Sequence, residues 1–135
     1  MDRGSLDPSR VIDAMAQAAR ATPGLDLLML FGSRARGDIH PGSDWDLGYL
    51  ATNAPDVDAW LGTFVELAGS DRVDLVDLAS ASGLLRYRVA RDGRLVYEAR
   101  PGLGERFCLD AAQFWCDAAP VLQRGYAQVL AELEP

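Results

Sequence analysis

The chain has 135 residues, of which 49% are hydrophobic and 24% charged, so it has the size of one compact domain with one core, spanning residues 1–135. Thirteen arginines and no lysine stand against twenty acidic residues, and the net charge of −7 argues against broad nucleic-acid binding and excludes lysine-based covalent chemistry. The chain lacks an apolar run long enough to cross a membrane and a signal-peptide pattern, so we expect a cytoplasmic location.

Residues that form disulfides or zinc sites are few. Cys108 and Cys116 are eight positions apart in one helical pattern, without a CxxC motif, so we expect free thiols. The single histidine, His40, argues against a His-based triad or a zinc site. Because a domain of this size folds without a metal, any metal would serve chemistry.

Apolar periodicity predicts helices that alternate with short strands. The predicted helices cover residues 8–21, 55–68 and 82–91, and the predicted strands cover 25–31, 44–50, 72–78 and 94–98, with a loop over 32–44. The fold class predicted from this order is α/β (α+β): a small mixed sheet of about four strands, with helices on one side and a C-terminal helix.

The C-terminal stretch is apolar at helical spacing, and Pro120 either kinks this helix or starts a second one. Its aromatic residues allow two interpretations. At least two of the four belong to the core, or the helix presents them to a partner protein; they are Phe107, Phe114, Trp115 and Tyr126.

The segment that carries chemistry begins with Gly32-Ser33 after the first strand. Ten residues later come Asp44 and Asp46, and Asp74 follows inside another apolar strand. Glycine lets the backbone approach phosphate oxygens closely. Two aspartates at i and i+2 of a strand share a face at about 6–7 Å, where they repel each other by roughly 2 kcal/mol. We therefore expect a cation between them, and one or two Mg²⁺ ions suit carboxylates that share a substrate phosphate.

Other interpretations of these residues remain open. The Asp44 and Asp46 pair could be a solvated strand face after a turn. Asp77 competes with Asp74 for the role of third carboxylate, although it faces the opposite way and could cap the following turn. Arg34 and Arg36 could contact phosphates or only balance the acidic loop.

The segment FGSRARGDIHPGSDWDLGYL (31–50) resembles the Gly-Ser, ten-residue gap, Asp-x-Asp signature of the polymerase-β-like nucleotidyltransferases, in their smallest, single-domain branch. The segments VDLV (73–76) and LLRYRVARDGRLVYE (84–98) and the C-terminal helix have counterparts in antitoxins of the MntA type, which pair with a helical HEPN ribonuclease toxin (HepT type). Trp45 is bulkier than the small aliphatic residue expected between the two aspartates. Because it faces away from them, this departure concerns packing more than catalysis.

The resemblance implies transfer of AMP from ATP, with Mg²⁺, to tyrosine hydroxyls of the partner toxin, which silences it. It also implies a role for each residue. Asp44, Asp46 and Asp74 would be catalytic and would hold the metal ions, two in number, with Asp74 helping to deprotonate the hydroxyl. The nucleotide would be bound by Gly32, Ser33, Arg34, Arg36 and Ser43.

Two other functions are compatible with the same residues. A nucleotidyltransferase could act on a small hydroxylated molecule or an RNA end, but such enzymes carry an additional domain for the acceptor, and the charge of −7 disfavours RNA. The chain could instead neutralise a partner by contact alone, without catalysis.

Overall fold

The computed structural model describes residues 7–37 and 42–133, with only the backbone from residue 119 onward. The elements follow each other in the predicted order. They are α1 (Pro8–Arg20), β1 (Leu25–Phe31), α2 (Ser33–Arg36), β2 (Trp45–Ala51), α3 (Val57–Ala68), β3 (Val73–Asp77), α4 (Gly83–Asp92), β4 (Arg94–Glu98) and α5 (Leu103–Leu133).

The strands form one sheet of four in the order β3-β2-β1-β4. β1 pairs with β2 and β4 in antiparallel orientation, whereas β2 and β3 are parallel and are connected through α3. A parallel pair needs such a crossover connection, because a tight turn reverses the direction of the chain and can join only antiparallel strands. The predicted class, with a small mixed sheet and a C-terminal helix, is confirmed.

Local capping signals explain where the helices begin. The carboxylate of Asp7 accepts a hydrogen bond from the Ser9 amide in front of α1, and Asp56 accepts one from Ala59 in front of α3. The Ser82 hydroxyl accepts one from the Leu85 amide at the start of α4. These contacts satisfy amides that the first turn of a helix leaves without partners.

The helices cover both faces of the sheet, so the prediction of helices on one side was wrong. α1 and α3 pack on the face that carries Leu28 and Leu30, and α4 and α5 pack on the face that carries Leu27 and Met29. The cause lies in β1, where four consecutive residues are buried. A strand that is apolar on both faces has to be covered on both.

One further detail differs from the expectation, because the predicted loop contains the short helix α2. Of the two alternatives for Pro120, the start of a second helix is not what the structure shows, since α5 is one helix that continues through this residue. Phe107 is buried in the core, Trp115 stacks on Tyr87 with ring centres 5.5 Å apart, and Phe114 is exposed. The side chain of Tyr126 and all of His40 lie outside the described residues.

Cys108 and Cys116 are free thiols in the structure, Cys108 partly buried and Cys116 exposed. Within residues 7–37 and 42–133, none of the helices is long and apolar enough to cross a membrane.

Candidate active site

Gly32 joins the end of β1 to α2, and only glycine fits there. Its φ angle of 75° lies in the left-handed region, and a Cβ atom at this position would collide with Oδ2 of Asp46. The Gly32 carbonyl oxygen accepts hydrogen bonds from the amides of Ala35 and Arg36, at 3.2 Å each, which closes the turn that begins at Ser33. The absence of a side chain therefore brings the Gly32 backbone against a carboxylate.

Asp46 and Asp74 lie next to each other on neighbouring strands. Phe31 of β1 pairs with Asp46 of β2, which in turn pairs with Asp74 of β3. Directly paired residues point to the same face of a sheet, so both carboxylates project from the face that α4 and α5 cover farther along. Asp46 is half-buried, Asp74 is exposed, and the exposed Asp44 directly precedes β2.

The surroundings of Asp46 disfavour its charged form. Burial raises the pKa of Asp46, the negative charges of Asp74 and then Asp44 raise it further, and the positive charge of Arg36 opposes the shift. A carboxylate that is both partly desolvated and close to like charges gains when a cation binds beside it. The cluster thus has the electrostatics of a cation site.

The three aspartates do not form a closed cage. Among the residues that the structure describes, no three acidic, histidine or cysteine side chains converge closely enough to hold one metal ion. Mg²⁺ is usually bound by one or two carboxylates together with substrate phosphates and water, rather than by an all-protein cage. The open arrangement of Asp44, Asp46 and Asp74 fits an ion that arrives with a phosphorylated substrate.

Asp77 has a different position from Asp74. It pairs with Tyr49 on the opposite face of the sheet, and its Oδ1 accepts a hydrogen bond of 2.9 Å from the Ala79 amide. Asp77 therefore caps the turn after β3. The structure brings Asp74 beside Asp46 and leaves Asp77 outside the cluster.

The guanidinium group of Arg34 makes two kinds of contact, hydrogen bonds to a backbone carbonyl and a cation–π contact with a tryptophan ring. Its Nε and Nη2 donate to the carbonyl oxygen of Ser43, at 3.2 and 2.9 Å, and the guanidinium lies 4.0 Å from the centre of the Trp45 ring. Burial lowers the pKa of Arg34, and Asp44 opposes this effect. These contacts tie the turn after Gly32 to the residues that flank Asp44.

Arg72 holds the same segment from the other side, and sequence reasoning did not identify it. Its Nη1 donates to the Gly42 carbonyl oxygen at 3.1 Å and lies 4.0 Å from Oδ1 of Asp44. The backbone carbonyl of Arg72 also accepts a hydrogen bond of 2.8 Å from the Trp45 amide. Knowledge that β2 and β3 are parallel would have identified Arg72. Arg72 directly precedes β3 and Asp44 directly precedes β2, so the parallel pairing brings the two residues together.

Known proteins with similar sequences and structures share this arrangement of elements. The chain is 39% identical over 93 residues to a protein adenylyltransferase MntA from Aphanizomenon flos-aquae, an alignment that covers 59% of this chain and 61% of the relative. The chain thus spans about three fifths of the length of that curated relative.

Solved structures extend the likeness over most of the chain. A toxin–antitoxin crystal structure with AMP-PNP matches with a TM-score of 0.72 and 26% identity, covering 93% of this chain and 99% of the other. A crystal structure of the toxin–antitoxin MntA-HepT matches with a TM-score of 0.68 and 26% identity, covering 89% and 97%. The family model for polymerase beta nucleotidyltransferases matches residues 14–101, which include Gly32, Asp46 and Asp74. The chain therefore belongs to the polymerase beta nucleotidyltransferase family.

Proposed function

We propose that this protein is an antitoxin that transfers AMP from ATP to tyrosine hydroxyls of a HEPN-type toxin and thereby silences it. The observation that carries the proposal is the row formed by Gly32, Asp46 and Asp74, in which a close backbone approach and two carboxylates meet at one end of the sheet. The likeness to a protein adenylyltransferase and to toxin–antitoxin structures supports the same function.

The proposed chemistry is a substitution at the α-phosphorus of ATP. The tyrosine oxygen forms a bond to this phosphorus, the bond to the bridging oxygen of the β-phosphate breaks, and pyrophosphate leaves. The tyrosine proton passes to a carboxylate, for which we propose Asp74, because it is exposed beside Asp46 at the open edge of the cluster. Phosphoryl transfer of this kind depends mainly on positioning and on charge stabilisation.

We assign Mg²⁺ to Asp44, Asp46 and Asp74. When bound, Mg²⁺ supplies positive charge to the phosphate oxygens and lowers the pKa of the attacking hydroxyl. The number of ions, two, is a proposal that follows from the resemblance. The carboxylates themselves hold this charge in place and, through their mutual repulsion, disfavour the metal-free site.

We propose that the nucleotide lies against the segment that follows β1. Gly32 and Ser33 present backbone and hydroxyl groups to its phosphates, and Arg36 adds positive charge close to Asp46. Arg34 and Ser43 are linked by two hydrogen bonds, so we propose that they shape the nucleotide-binding loop together. This proposal gives each of the predicted nucleotide-binding residues a place in one continuous segment.

The remaining predictions concern the whole protein. We propose that residues 1–135 form one domain and that the protein works in the cytoplasm beside its toxin. Transfer to a small hydroxylated molecule or an RNA end is the enzymatic alternative, and the net charge of −7 disfavours the RNA. Neutralisation by contact alone is the non-catalytic alternative.

The experiment that tests the function measures whether AMP from labelled ATP becomes attached to the toxin. The purified chain is incubated with the toxin encoded beside it, Mg²⁺ and ATP labelled at the α-phosphate, and the toxin is then analysed by mass spectrometry for added AMP on tyrosine. Asp46→Asn should abolish the label, and Asp77→Asn, which removes one negative charge outside the cluster, should retain it. An unlabelled toxin with the parent chain would contradict the proposal.

A further inference from the structure

A cavity lies beside Gly32 on the same face of the sheet as Asp46. It has a volume of about 160 Å³ and is lined by Phe31, Gly32, Arg36, Leu85, Arg88 and Asp92. Phe31 is the direct register partner of Asp46, and Gly32 touches the Asp46 carboxylate. Gly32 therefore lines the cavity and lies against the carboxylate of Asp46.

The arginines of α4 differ in what they contact. The guanidinium of Arg91 forms two hydrogen bonds with the carboxylate of Asp92, at 3.0 and 2.7 Å. Arg86 packs over the ring of Phe107, 5.6 Å from its centre. Arg88 is exposed and makes no hydrogen bond or ion pair within the described part of the chain.

The charges around the cavity favour an anion. Arg36 and Arg88 line it from two different elements, α2 and α4. The one carboxylate in the lining, that of Asp92, is already paired with Arg91, and this hydrogen bond lowers the pKa of Asp92. The lining thus holds two arginines and one aspartate, and the charge of that aspartate is already balanced by Arg91 and, more weakly, by Arg36.

We propose that Arg88 is a nucleotide-binding residue that contacts a phosphate group of ATP. This inference rests on the proposed function and extends it, because it brings α4 into a site that the sequence motif confines to the segment around β1 and β2. A guanidinium donates two parallel hydrogen bonds to phosphate oxygens, and it stays charged at every physiological pH. Gly32 and Arg88 line the same cavity, so a triphosphate bound at Gly32 lies next to Arg88.

The position of Arg88 also explains why a site rich in aspartate can hold a polyanion. Asp44, Asp46 and Asp74 repel the phosphates wherever no cation lies between them. Arg88 and Arg36 supply positive charge on the other side of Gly32, so the phosphates lie between the guanidinium groups and the metal-binding carboxylates. The chain has no lysine that could take this role.

The test measures binding of ATP and of inorganic tripolyphosphate by calorimetry, with Mg²⁺ present, for the parent chain and three variants. Arg88→Ala should raise the Kd of both ligands about 10-fold or more, the loss expected for a charge-assisted hydrogen bond. Arg88→Lys keeps the positive charge but loses the two parallel donors of the guanidinium group. Its Kd for both ligands should lie between that of Arg88→Ala and that of the parent chain. Arg20→Ala, a matched loss of charge at the end of α1 on the other face of the sheet, should bind like the parent.

Measurements of KM, kcat and Tm distinguish a residue that binds ATP from one that only stabilises the fold. Arg88→Ala should raise the KM for ATP at least as much as the Kd, with kcat within a few-fold of the parent and an unchanged Tm, because Arg88 holds no other residue. An ATP Kd within twofold of the parent would overturn the proposal, whether or not AMP is transferred. If the parent binds ATP and tripolyphosphate through Arg88 but never labels the toxin, the proposed function fails and the assignment of Arg88 stands.

Discussion

The guanidinium of Arg34 lies over the indole of Trp45, 4.0 Å from its centre, while it donates two hydrogen bonds to the Ser43 carbonyl oxygen. Trp45 is buried, and it belongs to the core that α1 and α3 cover. The large side chain between the two aspartates thus serves as a platform for an arginine from the preceding turn. Through this contact, α2 fixes the backbone on the N-terminal side of Asp44.

Arg34→Lys should destabilise the protein even without nucleotide. The lysine keeps the positive charge but can neither stack as a plane on Trp45 nor bind the Ser43 carbonyl oxygen with two nitrogens. We expect a loss of about 1 kcal/mol in the free energy of unfolding, measured by urea denaturation in EDTA. Arg10→Lys, at an exposed position of α1, is the control and should change nothing. An unchanged stability of Arg34→Lys would show that the contacts of Arg34 are not structural.

Much of the fold follows from the sequence, because local signals agree with the final structure. β1 and β4 have the predicted bounds, since Gly and Pro residues mark their ends and apolar residues fill them. Alternation along β3 also predicts that Asp74 and Asp77 lie on opposite faces, and the strand register puts Asp74 beside Asp46 and Asp77 beside Tyr49. What a strand presents to each face can be deduced without knowing its neighbours.

The sequence does not show relationships that depend on long-range pairing. The contact of Arg72 with Asp44 arises only because β3 is parallel to β2, and the pairing of strands is not encoded in either strand alone. The helices on both faces of the sheet are a different case, because the apolar run of β1 already presents apolar side chains to both faces and so predicts that both are covered. The sequence also does not show that Arg88 and Gly32 line one cavity, since α4 reaches Gly32 only in the folded chain.

Gly32→Ala and Gly62→Ala should change the stability in opposite directions. At Gly32 the added Cβ meets Asp46 and the positive φ angle is strained, so we expect a loss of about 1–3 kcal/mol and of ATP binding. At Gly62, inside α3, the added Cβ meets no other atom within 4 Å, and alanine should stabilise the helix by about 0.5–1 kcal/mol. Thermal unfolding and ATP titration of both variants test this. Equal effects at the two glycines would contradict the close approach of Gly32 to Asp46.

Asp46→Asn should increase the stability of the metal-free protein. Burial and the negative charges of Asp74 and Asp44 disfavour the charged form of the Asp46 carboxylate. The neutral amide of asparagine does not carry this electrostatic cost. Because solvent screens part of the repulsion, we expect a gain of at most about 1 kcal/mol at neutral pH and low salt. Urea denaturation in EDTA measures it, with the exposed Asp13→Asn as control. A clear loss of stability would mean that Asp46 accepts hydrogen bonds that the fold needs.

The two cysteines should react with iodoacetamide at different rates. Burial raises the pKa of the Cys108 thiol, which lies in the groove between α4 and α5, whereas Cys116 is exposed. The thiolate is the reactive form, so Cys108 should be alkylated more slowly at neutral pH and its rate should keep rising at more alkaline pH. Peptide mass spectrometry over time gives both rates, and Cys116→Ser isolates that of Cys108. Faster alkylation of Cys108 would indicate that this groove opens in solution.

Asp74→Asn should separate the binding of the toxin from its silencing. Asp74 is exposed at the carboxylate cluster, so its loss should leave the fold intact and, under the proposed function, remove the transfer of AMP without preventing association with the toxin. If silencing requires chemistry, cells that express the toxin with Asp74→Asn should stop growing although the two proteins still co-purify. Asp77→Asn is the matched control, because it removes the same charge from the same strand on the opposite face, and the amide oxygen can still accept the Ala79 hydrogen bond. Full protection by Asp74→Asn with an unmodified toxin would instead establish neutralisation by contact, since the complex would then silence the toxin without any transferred group.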